Sequence, residues 1–254
     1  MKNIIFFSIL LFVIGCSGTQ NQNLSANDWY MKGWSLYDSG YYEEANQCFT
    51  NAIKLNPYHT LSHNMRGVAL WSVGRFEESI LSFDKAIKLD SNYDKAWCNK
   101  GVSLIELNKY DDAIKCFHKT LELNKENYYY PTYNLGVALN KSGKYEEAIN
   151  CFDIAFKKDS NDVGIMSNKG YAYIKIKKYN EGFELINKSI QKESNYANGW
   201  YNLAVYYSIQ KNKKEMLKSL KNAINFYEYY KNKVLTDDDF KEYWNDNDFK
   251  ELTK

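Results

Sequence analysis

A register of small residues recurring every 34 positions constrains this chain more than any other feature of its sequence. With Ala26 as position 1 of a 34-residue frame, position 8 is occupied by Gly33, Gly67, Gly101, Gly136, Gly170 and Ala204. One extra residue, Tyr128, slips the frame between the third and fourth units. A fixed period of this length marks a repeat architecture, in which each unit buries its apolar face against its neighbours. The six units are 26–59, 60–93, 94–127, 129–162, 163–196 and 197–230.

Within a unit, positions 4, 7, 8 and 11 form one stripe, as in Trp29, Gly33 and Leu36, and positions 20, 24 and 27 form a second, as in Ala45, Phe49 and Ala52. Both stripes have the i, i+4, i+7 spacing of one helical face. Two such stripes separated by a turn describe an αα-hairpin. The small residue at position 8 and Ala or Ser near position 20 let the two helices approach closely. The aromatic at position 24 (Phe49, Phe83, Phe117, Phe152) fills the space beyond that contact. Gly40, Gly74 and Gly143 fall where the first helix ends and a left-handed residue is wanted, with Asn108 as the next best choice. Only 2 prolines and 13 glycines leave little material for the turns of a β-sandwich, so the expected class is all-α.

Trp97 to Gly101 with Ala113-Ile114-Lys115-Cys116-Phe117, and Asn134-Leu135-Gly136 with Tyr145-Glu146-Glu147-Ala148-Ile149, carry a resemblance to the tetratricopeptide repeat (TPR) family. The resemblance implies a right-handed α-solenoid of about six helix-turn-helix units, spanning 26–230, whose first helices line a concave surface. The sequence departs from the family pattern in places. The unit-ending proline survives only as Pro57, and unit six has Lys213 and Met216 where Tyr and Ala are expected. Residues 231–254 read as a C-terminal capping segment of one or two short helices, with Tyr243, Trp244 and Phe249 packing inward. Thr236 followed by Asp239 has capping-box-like spacing at its start.

Ahead of the repeats, Lys2 precedes an apolar run from Ile4 to Ile14 broken only by Ser8. That run is about half the ~20 residues needed to cross a bilayer and suits the h-region of a signal peptide. It ends in Val13-Ile14-Gly15-Cys16, which resembles a bacterial lipobox. The resemblance implies that 1–15 is a signal peptide and that Cys16 is lipidated, with 16–25 as a flexible tether. Two or more acyl chains suffice for stable anchoring. Ser17, where some bacterial lipoproteins carry an aspartate for inner-membrane retention, favours the outer membrane. An uncleaved hydrophobic anchor and an ordinary signal peptide are the alternatives.

The formal charge is +2 with both signs interspersed, which lacks the basic stripe of a nucleic-acid binder. His59 and His63 are four apart, yet one falls in an inter-repeat turn and the other at a packed position, so no metal site is expected. Cys48, Cys116 and Cys151 share position 23 of different units, too far apart for disulfides. Cys98 with Cys116 is the one pair placed on the two helices of a single hairpin. No glycine-rich phosphate loop, G-x-S-x-G or H-E-x-x-H occurs, so neither a catalytic set nor a cofactor is expected. Acidic pairs such as Asp111-Asp112 and Glu146-Glu147 start second helices, where they complement the helix dipole.

In the family resembled, positions 2, 5, 9, 12 and 13 point into the concave groove. Here they include Tyr30, Trp34, Tyr37, Asn64, Trp71, Lys95, Tyr130, Tyr133, Lys141, Tyr171 and Tyr201. Aromatic anchors with scattered polar groups suit an interface hot spot. The cations that would clamp a C-terminal carboxylate at the family's usual positions are missing. The expected function is that of a membrane-anchored scaffold binding a protein or peptide partner in a bacterial envelope. A glycan or peptidoglycan binder using aromatic stacking is the alternative.

Overall fold

Each unit contributes two helices of fixed length, 13 and then 14 residues, because the two apolar stripes recur in the same register every time. A computed structural model describes residues 24–126 and 128–254. The expected signal peptide, the lipidated Cys16 and the tether up to residue 23 lie outside the described residues. The first unit pairs α1 (Ala26–Asp38) with α2 (Tyr42–Leu55), and the second pairs α3 (Thr60–Ser72) with α4 (Phe76–Leu89). The third pairs α5 (Asp94–Glu106) with α6 (Tyr110–Leu123), and the fourth α7 (Tyr129–Lys141) with α8 (Tyr145–Lys158). Next come α9 (Val163–Lys175) with α10 (Tyr179–Lys192), and α11 (Ala197–Ile209) with α12 (Lys213–Phe226). The extra residue Tyr128 sits at the N-cap of α7, outside both flanking helices.

Within each hairpin, the glycine of the first helix lies directly under the aromatic of the second. A Cβ added at Gly67 would come within 2.5 Å of the Phe83 ring, and at Gly136 within 2.7 Å of Phe152, so only a hydrogen fits there. Phe49, Phe83, Phe117 and Phe152 are almost fully buried by this arrangement. Burying a phenylalanine side chain contributes roughly 1.5–3 kcal/mol. Consecutive first helices (α1, α3, α5, α7, α9, α11) also touch one another more closely than consecutive second helices do, which places them on the inner, concave side of a solenoid.

The turns follow the expected chemistry in the first four units and break from it afterwards. Gly40, Gly74 and Gly143 take φ of 83°, 77° and 81°, and Asn108 takes 57°, all left-handed. Units five and six place Lys177 (φ 66°) and Lys211 (φ 57°) at the same position. A side chain there costs about 1–2 kcal/mol relative to glycine. At the other end, Leu24 packs against Trp29 and Cys48, and Ser25 forms a capping box with Asp28. The final part of the segment read as a tether therefore already engages α1.

The last 26 residues, 229–254, do more than shield the final repeat. They form α13 (Tyr229–Lys233), a 3-10 turn (Asp238–Tyr243) and α14 (Asn247–Leu252). Phe240 and Phe249 are fully buried in a cluster with Tyr201, Val205, Met216 and Leu220, and Tyr243 joins them as expected. The capping residue of the 3-10 turn is Asp237, whose side chain accepts from Asp239 N at 3.1 Å. Thr236, the residue expected in that role, instead donates to the Lys233 carbonyl. The carboxylate wins because it is held in place by two further partners, described below. Unit six's departures from the repeat pattern have the same cause. Lys213 pairs with Asp246 and Asp248 of this tail at 2.5 and 2.7 Å, and Met216 is buried within the shared cluster.

Candidate functional site

The concave face divides into two stretches with different occupants. In the first, residues from four successive units frame an open groove. Tyr37, Val68, Trp71, Phe83, Asn99, Val102 and Tyr130 line a cavity of about 210 Å³. Val68 and Val102 come from position 9 of their units and Tyr37 and Trp71 from position 12, so the solenoid register alone brings them side by side. Trp34 is 47% exposed, Trp71 37% and Tyr130 52%, large values for such apolar side chains. Tyr130 also lines a smaller adjoining hollow with Lys95, Asp94 and Thr120. Partial burial in the groove pushes the Tyr130 hydroxyl's pKa upward.

In the second stretch the chain's own tail closes over units four to six. Tyr133, Asn140, Lys141, Tyr145, Tyr171 and Tyr201 face Tyr229, Tyr230, Lys233 and Asp237 across a cleft of about 360 Å³. Asp237 Oδ2 accepts from Tyr201 OH at 2.6 Å and from Lys233 Nζ at 2.8 Å. Burial alone would raise the Asp237 pKa, but the Lys233 charge, with the Lys233 and Tyr201 hydrogen bonds, holds it below the usual carboxylate range. Asp239 Oδ1 accepts from Lys175 Nζ at 2.6 Å, and its backbone carbonyl accepts from Ser208 Oγ at 2.5 Å. Tyr201 is sandwiched further, with Tyr230 stacked 4.5 Å away and Lys233 Nζ 4.4 Å from its ring centre.

Four expected groove residues are therefore not open contact positions. Tyr201 is 3% exposed, because the tail covers it. Asn64 is also 3% exposed, and its Oδ1 accepts from Asn99 Nδ2 at 3.1 Å. Tyr133 lies half-buried, its ring against Phe152 and its hydroxyl accepting from Asn168 Nδ2 at 3.1 Å. Tyr30 packs between Phe49 and His59. The recurring asparagines at position 6 have a structural task, since Asn99, Asn168 and Asn202 each donate to the preceding unit. Trp34, Tyr37, Trp71, Lys95 and Tyr130 stand along the first stretch, Lys141 and Tyr171 in the second.

Sequence reasoning missed Lys175, Tyr110 and Tyr145 as site residues, and with them Tyr229, Tyr230, Lys233, Asp237 and Asp239 of the tail. Lys175 occupies position 13 like Lys141, and Tyr110 and Tyr145 both open second helices, so a complete reading of the register would have found them. The tail has no repeat to supply such a register.

The candidate chemistry elsewhere resolves into structure. His59 Nδ1 accepts from Ser62 N at the start of α3, while His63 Nε2 contacts the Pro57 carbonyl at 2.9 Å. The two rings serve separate backbone groups, and burial lowers the His63 pKa. Cys98, Cys116 and Cys151 are free thiols. Burial pushes Cys98 to about 12 and Cys116 and Cys151 to about 11, so these thiols stay protonated and weakly reactive at neutral pH. Among the described residues, no group of three or more His, Cys, Asp or Glu could hold a metal ion, and no helix is long and apolar enough to cross a membrane.

Comparison with known proteins agrees with this architecture. A tetratricopeptide repeat profile matches residues 94–127, and a second matches 30–94 and 133–198. No curated protein matches the chain by sequence. Among solved structures, YrrB, described as a TPR protein with an unusual peptide-binding site, is 25% identical with a TM-score of 0.53, over 71% of this chain and 92% of YrrB. PilF of Pseudomonas aeruginosa is 14% identical with a TM-score of 0.63, over 89% of this chain and 96% of PilF. MamA of Desulfovibrio magneticus RS-1 is 19% identical with a TM-score of 0.61, over 67% of this chain and 96% of MamA. The last two likenesses concern the fold alone.

Proposed function

Because the chain belongs to the tetratricopeptide repeat family, we propose that it is a membrane-tethered scaffold whose open groove on units one to four holds an extended segment of a protein partner. The carrying observation is the cavity lined by Tyr37, Val68, Trp71, Val102 and Tyr130. Large rings with an apolar floor, and Asn99 and Lys95 beside them, are the make-up of interface hot spots. Because the tail occupies the remainder of the concave face, this stretch is where a segment several residues long can lie. YrrB's peptide-binding site supports a peptide as the ligand class. The reading is of a binding protein, with no catalytic step assigned to it.

The tether is part of the same proposal. The lipobox-like Val13-Ile14-Gly15-Cys16 supports cleavage before Cys16 and lipidation of that residue, and Ser17 supports residence in a bacterial outer membrane. Anchored there, the groove would organise an envelope assembly.

A photo-crosslinking amino acid at Val68, in cells carrying the full-length protein, tests the groove. A discrete protein adduct that disappears when Trp71 and Tyr130 become alanine is the expected result. Co-sedimentation with purified sacculi in the absence of any protein adduct would transfer the reading to a glycan ligand. For the tether, Cys16→Ser should leave a larger, unprocessed form that incorporates no labelled fatty acid; normal processing and labelling of that variant would remove the anchor from the proposal.

A further inference from the structure

At the concave face of the last units two carboxylates of the chain's own tail are held, each by one lysine and one tyrosine hydroxyl; the lysine comes from the tail itself for Asp237 and from α9 for Asp239. Asp237 is gripped by one lysine, Lys233, and one tyrosine hydroxyl, that of Tyr201. Asp239 is gripped by Lys175 at 2.6 Å, with the Tyr171 hydroxyl at 3.5 Å. Lys141, one unit earlier at the same position as Lys175, projects into the same cleft with its Nζ 6.0 Å from the Tyr110 ring centre. Among the described residues it has no carboxylate within ion-pair distance.

Two further observations mark this point as a site. Asn140 is 6% exposed and lines the cleft, and its Oδ1 has no hydrogen-bond donor among the described residues. In addition, the cleft's volume of about 360 Å³ lies within the range of small-ligand pockets. Tyr110, Tyr145, Tyr171 and Tyr229 are among its lining residues, together with Lys233 and Asp237.

We propose that this cleft binds a ligand carrying a carboxylate on a ring or short apolar body, with the carboxylate on Lys141 Nζ and the body between the tyrosines. A ligand amide N–H beside the carboxylate would meet the open Asn140 acceptor. The electrostatics favour an anion there. Loss of water around Lys141 and repulsion from Lys233 lower its pKa, against weaker attraction from Glu106 and Asp237. The negative charge of an incoming carboxylate offsets both effects by favouring the charged ammonium. The proposal is independent of what the groove of units one to four binds.

Calorimetric titration of the full chain with N-acetyl-phenylalanine and with its neutral amide tests this. A charge-assisted hydrogen bond favours the acid by about tenfold or more. Lys141→Met should abolish that preference, Lys141→Arg should retain most of it, and Trp71→Ala should leave it unchanged. A short peptide ending in phenylalanine with a free carboxylate distinguishes the sources: tighter binding than the acetylated amino acid points to a protein terminus, weaker binding to a free small acid. Equal binding of acid and amide, no saturable binding of the acid at millimolar concentration, or a preference that survives in Lys141→Met would each overturn the proposal.

Discussion

Between Trp34 and Tyr130 the concave wall of this solenoid meets solvent, whereas from Tyr133 to Tyr201 it meets the chain's own C-terminal segment. The two stretches share a register and a wealth of aromatic side chains. They differ in what those side chains have already bound. In the first, Trp71 and Tyr130 keep more than a third of their surface exposed. In the second, Tyr201 and Lys175 have given their polar groups to Asp237 and Asp239. An aromatic at a groove position is thus a contact in waiting only if nothing within the chain reaches it first.

The strongest way to break this comparison is to remove 229–254. That deletion strips Tyr230, Val234, Phe240, Tyr243 and Phe249 from the cluster on α11 and α12. Losing two buried phenylalanines alone is worth on the order of 5 kcal/mol or more. Because each unit touches only its neighbours, hydrogen exchange should accelerate in α11 and α12 while α1 to α4 keep their protection. Uniform loss across all units would mean that the two stretches are not separable.

Next in size is Phe83→Ala, which empties the space above Gly67 and should cost about 3–5 kcal/mol in denaturant unfolding. The double change of Trp34 and Trp71 to alanine should cost far less stability but weaken partner capture by about 2 kcal/mol or more. If the binding loss only tracks the unfolding, the exposed rings are not the contact.

Acid separates the stretches more gently. The Asp237 pKa is depressed in the folded protein, so the stability it contributes is present above the ordinary aspartate range. That contribution disappears as pH falls through the depressed value. The fluorescence of Trp244, whose Nε1 donates to the Val234 carbonyl, should report this release before the N-terminal units lose helicity. Asp237→Asn should remove the dependence; an unchanged acid transition in that variant would refute it.

The smallest effect concerns the turns. Lys177→Gly and Lys211→Gly relieve a left-handed backbone and should each stabilise by a few tenths to about 1 kcal/mol, after the added freedom of the unfolded chain is counted. Thermal unfolding of the two variants checks it, and the same lysine introduced at Gly74 should destabilise by a similar amount.

The helices and their pairing were legible in the sequence because they repeat, and six copies average away the ambiguity of any one. The direct contact of Gly67 with Phe83, and of Gly136 with Phe152, was not, because the ring at position 24 was expected beyond a contact between positions 8 and 20. The left-handed turns at Gly40, Gly74, Gly143 and Asn108 were legible for a different reason, the chemistry of a residue without a Cβ or with a short amide. Lys177 and Lys211 were not, since nothing in a lysine side chain favours that conformation; the backbone bonds that close each turn, Lys178 N to the Tyr173 carbonyl and Asn212 N to the Tyr207 carbonyl, accompany it instead. The site was half legible. Trp71 and Tyr130 follow from register alone, but the burial of Tyr201 depends on a tail that pairs with it 36 residues further on, outside any repeat. Asn64 misled because a polar side chain at a groove position reads as a contact when its partner, Asn99, lies in the next unit.

The placement of Tyr128 carries a consequence for how such a chain tolerates change. An additional residue inside α7 would turn every later side chain of that helix by about 100° and carry its concave-face residues out of line. At the N-cap, the same residue is absorbed before the helix begins, and Tyr133 and Lys141 keep the phase of their counterparts. The joint before α7 therefore acts as a phase buffer: it takes up one residue of extra length while the angular alignment of the following helix is preserved.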